Sequence, residues 1–198
     1  MNVRWLIVAG VGLVIASLSI LVARKPTISP TESRVFHAVN GLPDALYAPL
    51  WLPMQLGNLV VGTVAGLLVA LLDGDLTVAI GVLLTTALKL VVERVVRREM
   101  ADYLAIRQRP GTSQLHAVLR GDVPSAGPSF PSGHVILVAA VGCVVTPSLP
   151  IGWSWVPGVL TVLVMVGRVY VGAHNPLDVT AGLGTGLLLG GVLATFAA

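Results

Sequence analysis

A chain of 198 residues that is 55% hydrophobic and only 11% charged, with a mean hydropathy of +0.90, cannot cover itself with polar side chains. A soluble domain carries about 25% charged residues, so lipid must form part of the solvent here and a water-soluble enzyme or binding module is excluded. The net charge of +3 is small, and the single cysteine, Cys143, rules out an internal disulfide and any cysteine-based metal site. The expected partner is a membrane lipid and not a nucleic acid, and nothing in the sequence indicates a protein partner.

The first apolar stretch, residues 5–23, lies between Arg4 and Arg24-Lys25. It is longer than a signal-peptide core and no Ala-x-Ala site follows, so it reads as a retained membrane helix. Next comes "SPTESRVFHAVNG", with Ser29 at N-cap, Pro30 at N1 and Glu32 at N3, a capping-box pattern. Val35, Phe36, Val39 and Leu42 line one side, which predicts a short helix lying in the membrane interface.

Residues 54–72 form a second span ended by the polar turn Asp73-Gly74-Asp75, and residues 76–96 a third. Residues 97–131 are the only extended polar segment. From 135 to 167 there is no charged residue, too long for one crossing. Pro147, Pro150, Gly152 and Pro157 divide it into spans near 135–149 and 155–171, and the last span is 176–196. None of these stretches alternates apolar with polar residues, as barrel strands would. The expectation is an all-α polytopic membrane protein with about six transmembrane helices and an interfacial helix after the first span. It forms one membrane-embedded domain over 1–198, in which 1–53 hold the first span and interfacial helix and 54–198 the core.

Six crossings place the interfacial helix, the 97–131 segment and the 171–176 turn on one membrane face. All Lys and Arg residues except Arg4 gather there if Lys89 and Arg94 are included. The positive-inside rule would make that face cytoplasmic, but a site for phosphate must itself be cationic, so the residues leave the orientation open.

Three clusters on this face carry chemistry. In "GRVYVGAHNPLD", Asn175-Pro176 is an N-cap and N1 pair, and Asp178 at N3 can reach back toward His174. A carboxylate on one ring nitrogen fixes the tautomer and frees the other as nucleophile or base. Arg168 ends the preceding span, and a break at Gly172 would turn both side chains into one pocket. In "PSFPSGHV", Ser132 and Gly133 open a helix whose free N–H groups suit an anion, with His134 beside it as a proton donor. In "RQRPG", Arg109 offers a further cation. Cleaving a phosphate ester needs a nucleophile, an acid and cations, which His174, His134 and Arg109 with Arg168 supply. No carboxylate cluster or His/Cys spacing suits a metal, so a metal-free, cofactor-free route is expected. His37 and His116 read as interfacial polar residues; Cys143 and the tryptophans read as packing and interfacial anchors.

These residues resemble the type 2 phosphatidic acid phosphatases, a family of membrane-embedded lipid phosphate phosphatases with the pattern Lys-x6-Arg-Pro, Pro-Ser-Gly-His and Ser-Arg-x5-His-x3-Asp. The second motif is complete in Pro131-Ser132-Gly133-His134. The third is Arg168-x5-His174-x3-Asp178, with Gly167 in place of serine. Arg109-Pro110 ends the first motif, but Asp102 stands where its lysine is expected, and Lys89, Arg97, Arg98 or Arg107 remain to supply that charge.

The resemblance implies His174 as nucleophile, His134 as acid and Asp178 as its orienting partner. Arg109, Arg168, Ser132 and the Gly133 backbone would hold the phosphate. It further implies hydrolysis of a lipid phosphate or polyprenyl diphosphate through a phosphohistidine, on the extracytoplasmic side of the cell membrane. Two other readings are a phosphotransferase delivering the group to a lipid or sugar alcohol, and a non-catalytic lipid-phosphate-binding subunit.

Overall fold

A computed structural model of the chain describes residues 2–25, 27–98 and 107–197, with the side chain of Arg97 outside that set. Asp102 also lies outside the described residues. Among the described residues nine α-helices follow in order: α1 (Val3–Ala23), α2 (Pro30–Asn40), α3 (Tyr47–Met54), α4 (Leu59–Asp73), α5 (Leu76–Arg98), α6 (Pro110–Ser113), α7 (Gly133–Val145), α8 (Val156–Tyr170) and α9 (Pro176–Ala197). The described residues contain no β-strand beyond an isolated antiparallel bridge between Gln108 and Pro128.

Among the described residues four helical stretches are long and apolar enough to cross a bilayer: Val3–Ala23, Leu76–Val96, Ile151–Tyr170 and Pro176–Ala197. Counting the bent pair Asp44–Gly57 and Leu59–Asp73 as one span makes five, and Gly133–Ser148 is a shorter apolar helix. The second span therefore begins later than the sequence pattern indicates. Pro53 and Gly57 interrupt it, and Asn58 starts a new helix by accepting bonds from the N–H groups of Val60 (3.0 Å) and Val61 (3.3 Å). The two parts meet at 74°.

The Asp73-Gly74-Asp75 turn forms as expected. Gly74 takes φ +71°, which closes α4, and the Asp75 carboxylate caps α5 through the Thr77 N–H at 2.7 Å. At the centre lies α7, buried on all sides apart from His134 and packed against α4, α5, α8 and α9. A helix apolar all round belongs at such a core. Beside it α9 lies against α1 on its other side, where Gly12 meets the Gly184–Leu188 backbone and Gly191 meets Ala9. Small residues let the two backbones approach closely, which is how helices adhere where lipid offers no hydrophobic drive. Most of the remaining side chains of α1, including Ile7, Val11, Val14 and Leu18, are exposed and apolar as a lipid-facing surface requires.

The polar face is tied together by two buried side chains. Asn40 ends α2, donating to the Val118 and Tyr170 carbonyls and accepting from the Val118 N–H, each at 2.8 Å. Arg120 donates to the carbonyls of Asn40 and Tyr170 (2.8 Å each) and Leu42 (3.1 Å), and stacks 4.2 Å above the Tyr170 ring. These contacts satisfy the free carbonyls at the ends of α2 and α8 and fix the loop between them.

Candidate active site

The site is assembled from four chain segments. At the end of α8, Gly172 takes φ +77°, and the N–H groups of Ala173 (3.0 Å) and His174 (3.3 Å) bond back to the Arg168 carbonyl. This is the helix break expected from sequence, and it brings Arg168 and His174 to the wall of one cavity of about 230 Å³. Lys89 and Glu93 of α5 line it from a second side, and Gly133 and His134 from the start of α7. Arg109 completes it from the segment before α6, with its Nη1 donating to the Ala173 carbonyl at 3.0 Å.

That segment is held in place by short pairings. The Arg109 N–H donates to the Gly127 carbonyl (3.0 Å) and the Ser129 N–H to the Arg107 carbonyl (2.9 Å). Asn175, expected to cap α9, instead spends its side chain here. Its Nδ2 donates to the Gln108 carbonyl and Ser113 Oγ, and its Oδ1 accepts from Gln114. Capping passes to Asp178, whose Oδ2 accepts the Asn175 N–H at 2.9 Å. The same oxygen faces His174 Nδ1 at 3.8 Å, leaving Nε2 for the cavity that His174 lines.

Asp178 and Ser132 are fully buried and lie behind the cavity wall. The Ser132 N–H donates to the Asp178 carbonyl at 3.0 Å, so the second and third motifs are joined through the main chain. Three buried polar atoms, Ser132 Oγ, Arg168 Nε and His174 Nδ1, have no hydrogen-bond partner among the described residues. Buried polar groups are ordinarily satisfied, and orphans clustered at one place mark a site built for a ligand or for charge movement. Burial, the largest influence, holds the His174 imidazole below its ordinary value and so favours the unprotonated ring; Asp178 opposes this, while Arg168 and Arg109 add to it.

Of the four candidates for the missing lysine, Lys89 lines the cavity. Its Nζ sits 3.0 Å from Glu93 one helical turn on. Arg98 is exposed and does not line the cavity, and Arg107 points the other way, into a buried cluster with Glu32 and Asp178. Arg97 lies outside the description at the side-chain level. Glu93, which sequence reasoning passed over, crowds Gly133 so closely that a Cβ there would collide with its carboxylate. Its i,i+4 spacing from Lys89 is the signal that could have found it. Glu32 was read only as a capping residue. The Ser29 Oγ does accept the Glu32 N–H at 3.1 Å, but the Glu32 carboxylate accepts from Arg107 and from the Leu177 N–H at 3.0 Å. His37 and His116 are exposed and do not line the cavity.

A second, apolar cavity of about 200 Å³ runs between α4, α7 and α8, lined among others by Leu56, Gly62, Gly66, Val138, Val141 and Pro157. His134 lies against Gly57 and one helical turn before Val138, and Val138, Val141 and Val145, which line this cavity, continue the same stripe of α7. Among the described residues no group of three His, Cys, Asp or Glu side chains is arranged to hold a metal ion.

Comparison with known proteins agrees with this arrangement. Over 55 residues the chain is 46% identical to a protein named undecaprenyl-diphosphatase from Sulfolobus acidocaldarius, a stretch covering 27% of this chain and 26% of that protein. The crystal structure of Aquifex aeolicus LpxE shares the fold, with a TM-score of 0.64 at 20% identity over 82% of this chain and 94% of that one. A PAP2-type phosphatidylglycerolphosphate phosphatase from Bacillus subtilis superposes with a TM-score of 0.38 at 25% identity, over 98% of this chain and 92% of that one. The model of the PAP2 superfamily matches residues 70–198, which hold all the residues named above as lining the cationic cavity. With more than half of its length matched and the motif residues gathered at one cavity, the chain belongs to the PAP2 superfamily.

Proposed function

We propose that the protein is a membrane phosphatase that hydrolyses a lipid phosphate or polyprenyl diphosphate without a metal ion. The observation that carries this reading is a cationic cavity, walled by Lys89, Arg109, Arg168 and two histidines, together with a separate apolar cavity between α4, α7 and α8 whose lining on α7 starts at Val138, one helical turn beyond His134. A headgroup phosphate suits the first and a long hydrocarbon tail the second, a pairing that a soluble phosphate ester would not need.

In the proposed reaction His174 Nε2 attacks phosphorus while Lys89, Arg109 and Arg168 hold the non-bridging oxygens. The bond from phosphorus to the leaving oxygen breaks, and His134 gives that oxygen its proton. Water then attacks the phosphohistidine, His134 recovers a proton, the P–N bond breaks and inorganic phosphate leaves. Asp178, through Nδ1, orients His174 and balances the charge that the ring gains. Lys89 takes the part of the lysine absent at position 102. In this reading the short helix Gly133–Ser148 completes a count of six crossings, α2 rests in the interface, residues 1–53 carry the first span and α2, and 54–198 form the motif-bearing core. The site faces the extracytoplasmic side, a placement open to impermeant labelling of an engineered cysteine at the exposed Leu115.

The test is phosphate release from a panel of lipid phosphates and a polyprenyl diphosphate, by wild type and His174→Ala, with EDTA present. Release that EDTA leaves intact and His174→Ala abolishes supports the reading. Transfer of label to an added alcohol without free phosphate supports a phosphotransferase instead. Failure to release phosphate from any substrate leaves a lipid-phosphate-binding subunit.

A further inference from the structure

Behind the nucleophile lies a row of charges whose outer two members, the partly buried Glu32 and the buried Arg107, have no part in the proposed reaction. Arg107 is 2% exposed. Its Nε donates to Asp178 Oδ1 at 3.1 Å, and its Nη2 donates to Glu32 Oε1. Glu32 belongs to α2 and also accepts the Leu177 N–H, one residue before Asp178. The row therefore reads Glu32, Arg107, Asp178, His174, with the last pair at 3.8 Å.

An arginine cannot shed its proton in a protein. Beside a single buried aspartate it would neutralise that carboxylate, and His174 would face a pair of net charge zero. With Glu32 in place the three groups sum to one negative charge, directed at His174 from the Asp178 side. A buried ion pair by itself gives little net stability, which makes a structural explanation of this costly arrangement weak.

We propose that Glu32 is a positioning residue that, by neutralising Arg107, keeps the full negative charge of Asp178 available to His174 and so sets the basicity of the nucleophile. The proposal rests on reading His174 as that nucleophile. The other charged and titratable groups around His174 are Arg168 at the end of α8, Arg109 before α6, His134 at the head of α7, and Lys89 with Glu93 across the cavity on α5. All but Glu93 are basic, so the Glu32 charge counts against a strongly cationic background.

The experiment is the pH profile of kcat/KM for phosphate release from a short-chain polyprenyl diphosphate in detergent micelles. Glu32→Gln keeps the size of the side chain and removes its charge. It is expected to lower the plateau about tenfold or more and to move the acidic limb to lower pH by about half to one unit, because the imidazolium loses stabilisation. Glu32→Asp should retain the wild-type limb. The double variant Glu32→Gln/Arg107→Gln leaves Asp178 as the sole charge of the three and should return the limb toward wild type. Thermal unfolding in detergent identifies any variant that fails to fold; if Glu32→Gln is one, Arg107→Gln, which leaves both carboxylates charged, should move the limb to higher pH, and an unmoved limb there overturns the proposal. An unmoved limb in folded Glu32→Gln, or no return in the folded double variant, overturns the proposal. If His174→Ala retains activity, the reading of the nucleophile falls first, which separates the two failures.

Discussion

Replacing Lys89 by methionine preserves most of the side-chain volume and removes one of three cations from the cavity wall. Lys89, Arg109, Arg168 and Glu93 sum to a formal charge of +2 at the wall, and the variant leaves +1. Lys89 is only 8% exposed, so water screens it poorly. Two unit charges about 4 Å apart interact by about 4 kcal/mol at an effective dielectric of about 20. Removing one preorganised donor from a site of developing charge costs about 10²–10³ in rate, about 3–4 kcal/mol. The expected loss in kcat/KM for Lys89→Met lies within that range. Lys89→Arg, which keeps the charge with different geometry, should lose about tenfold. The exposed Arg98→Ala should stay within twofold. The assay is initial-rate phosphate release in detergent micelles, with circular dichroism confirming the fold. A Lys89→Met enzyme within threefold of wild type would refute the assignment and move the missing charge elsewhere.

Four further outcomes follow from the geometry. His134→Ala should slow release from a lipid phosphate about 10²–10⁴-fold yet slow p-nitrophenyl phosphate far less, since that leaving group needs no proton; equal losses on both would remove His134 as the acid. Because burial holds His174 below its ordinary 6.5, the acidic limb of kcat/KM for the free enzyme should have its midpoint below pH 6.5, and a midpoint above 7 contradicts this. Asn40→Ala strands the Val118 N–H and carbonyl and leaves the Tyr170 carbonyl to Arg120 alone; thermal unfolding should show a loss of about 2–4 kcal/mol. Gly12→Val sets a branched side chain against the Gly184–Leu188 backbone and should cost about 1–3 kcal/mol or detach α1, read by unfolding in detergent or protease sensitivity.

Much of the architecture is legible from local pattern. The break at Gly172, the Asp73-Gly74-Asp75 turn, the Ser29 cap and the turning of Arg168 and His174 into one cavity all depend on residues within a few positions of each other. Misreadings arise where a polar group chooses between a local and a distant partner. Glu32 fits a capping box, but its carboxylate meets Arg107, 75 residues on, which offers a charge-assisted bond inside the protein. Asn175 fits an N-cap, but its amide holds the Gln108–Gln114 segment while Asp178 takes over the cap. The start of the second span shifts because hydropathy cannot register the 74° bend that Pro53, Gly57 and Asn58 impose. Lys89 could not be singled out from sequence, because its place depends on how α5 packs beside α7.

The glycines of the last helix have a bearing on how the molecule is made. Gly184 and Gly191 turn toward α1, whereas Gly182, Gly186 and Gly190 meet the Ser132–Ala140 stretch on the opposite side. A ribosome delivers α1 first and α9 last, so the first helix must wait in the bilayer through the synthesis of every other span before its closest neighbour exists. Loss of the C-terminal stretch would therefore strike the opposite end of the chain hardest, leaving a folded hydrophobic segment with nothing of matching shape to dock against.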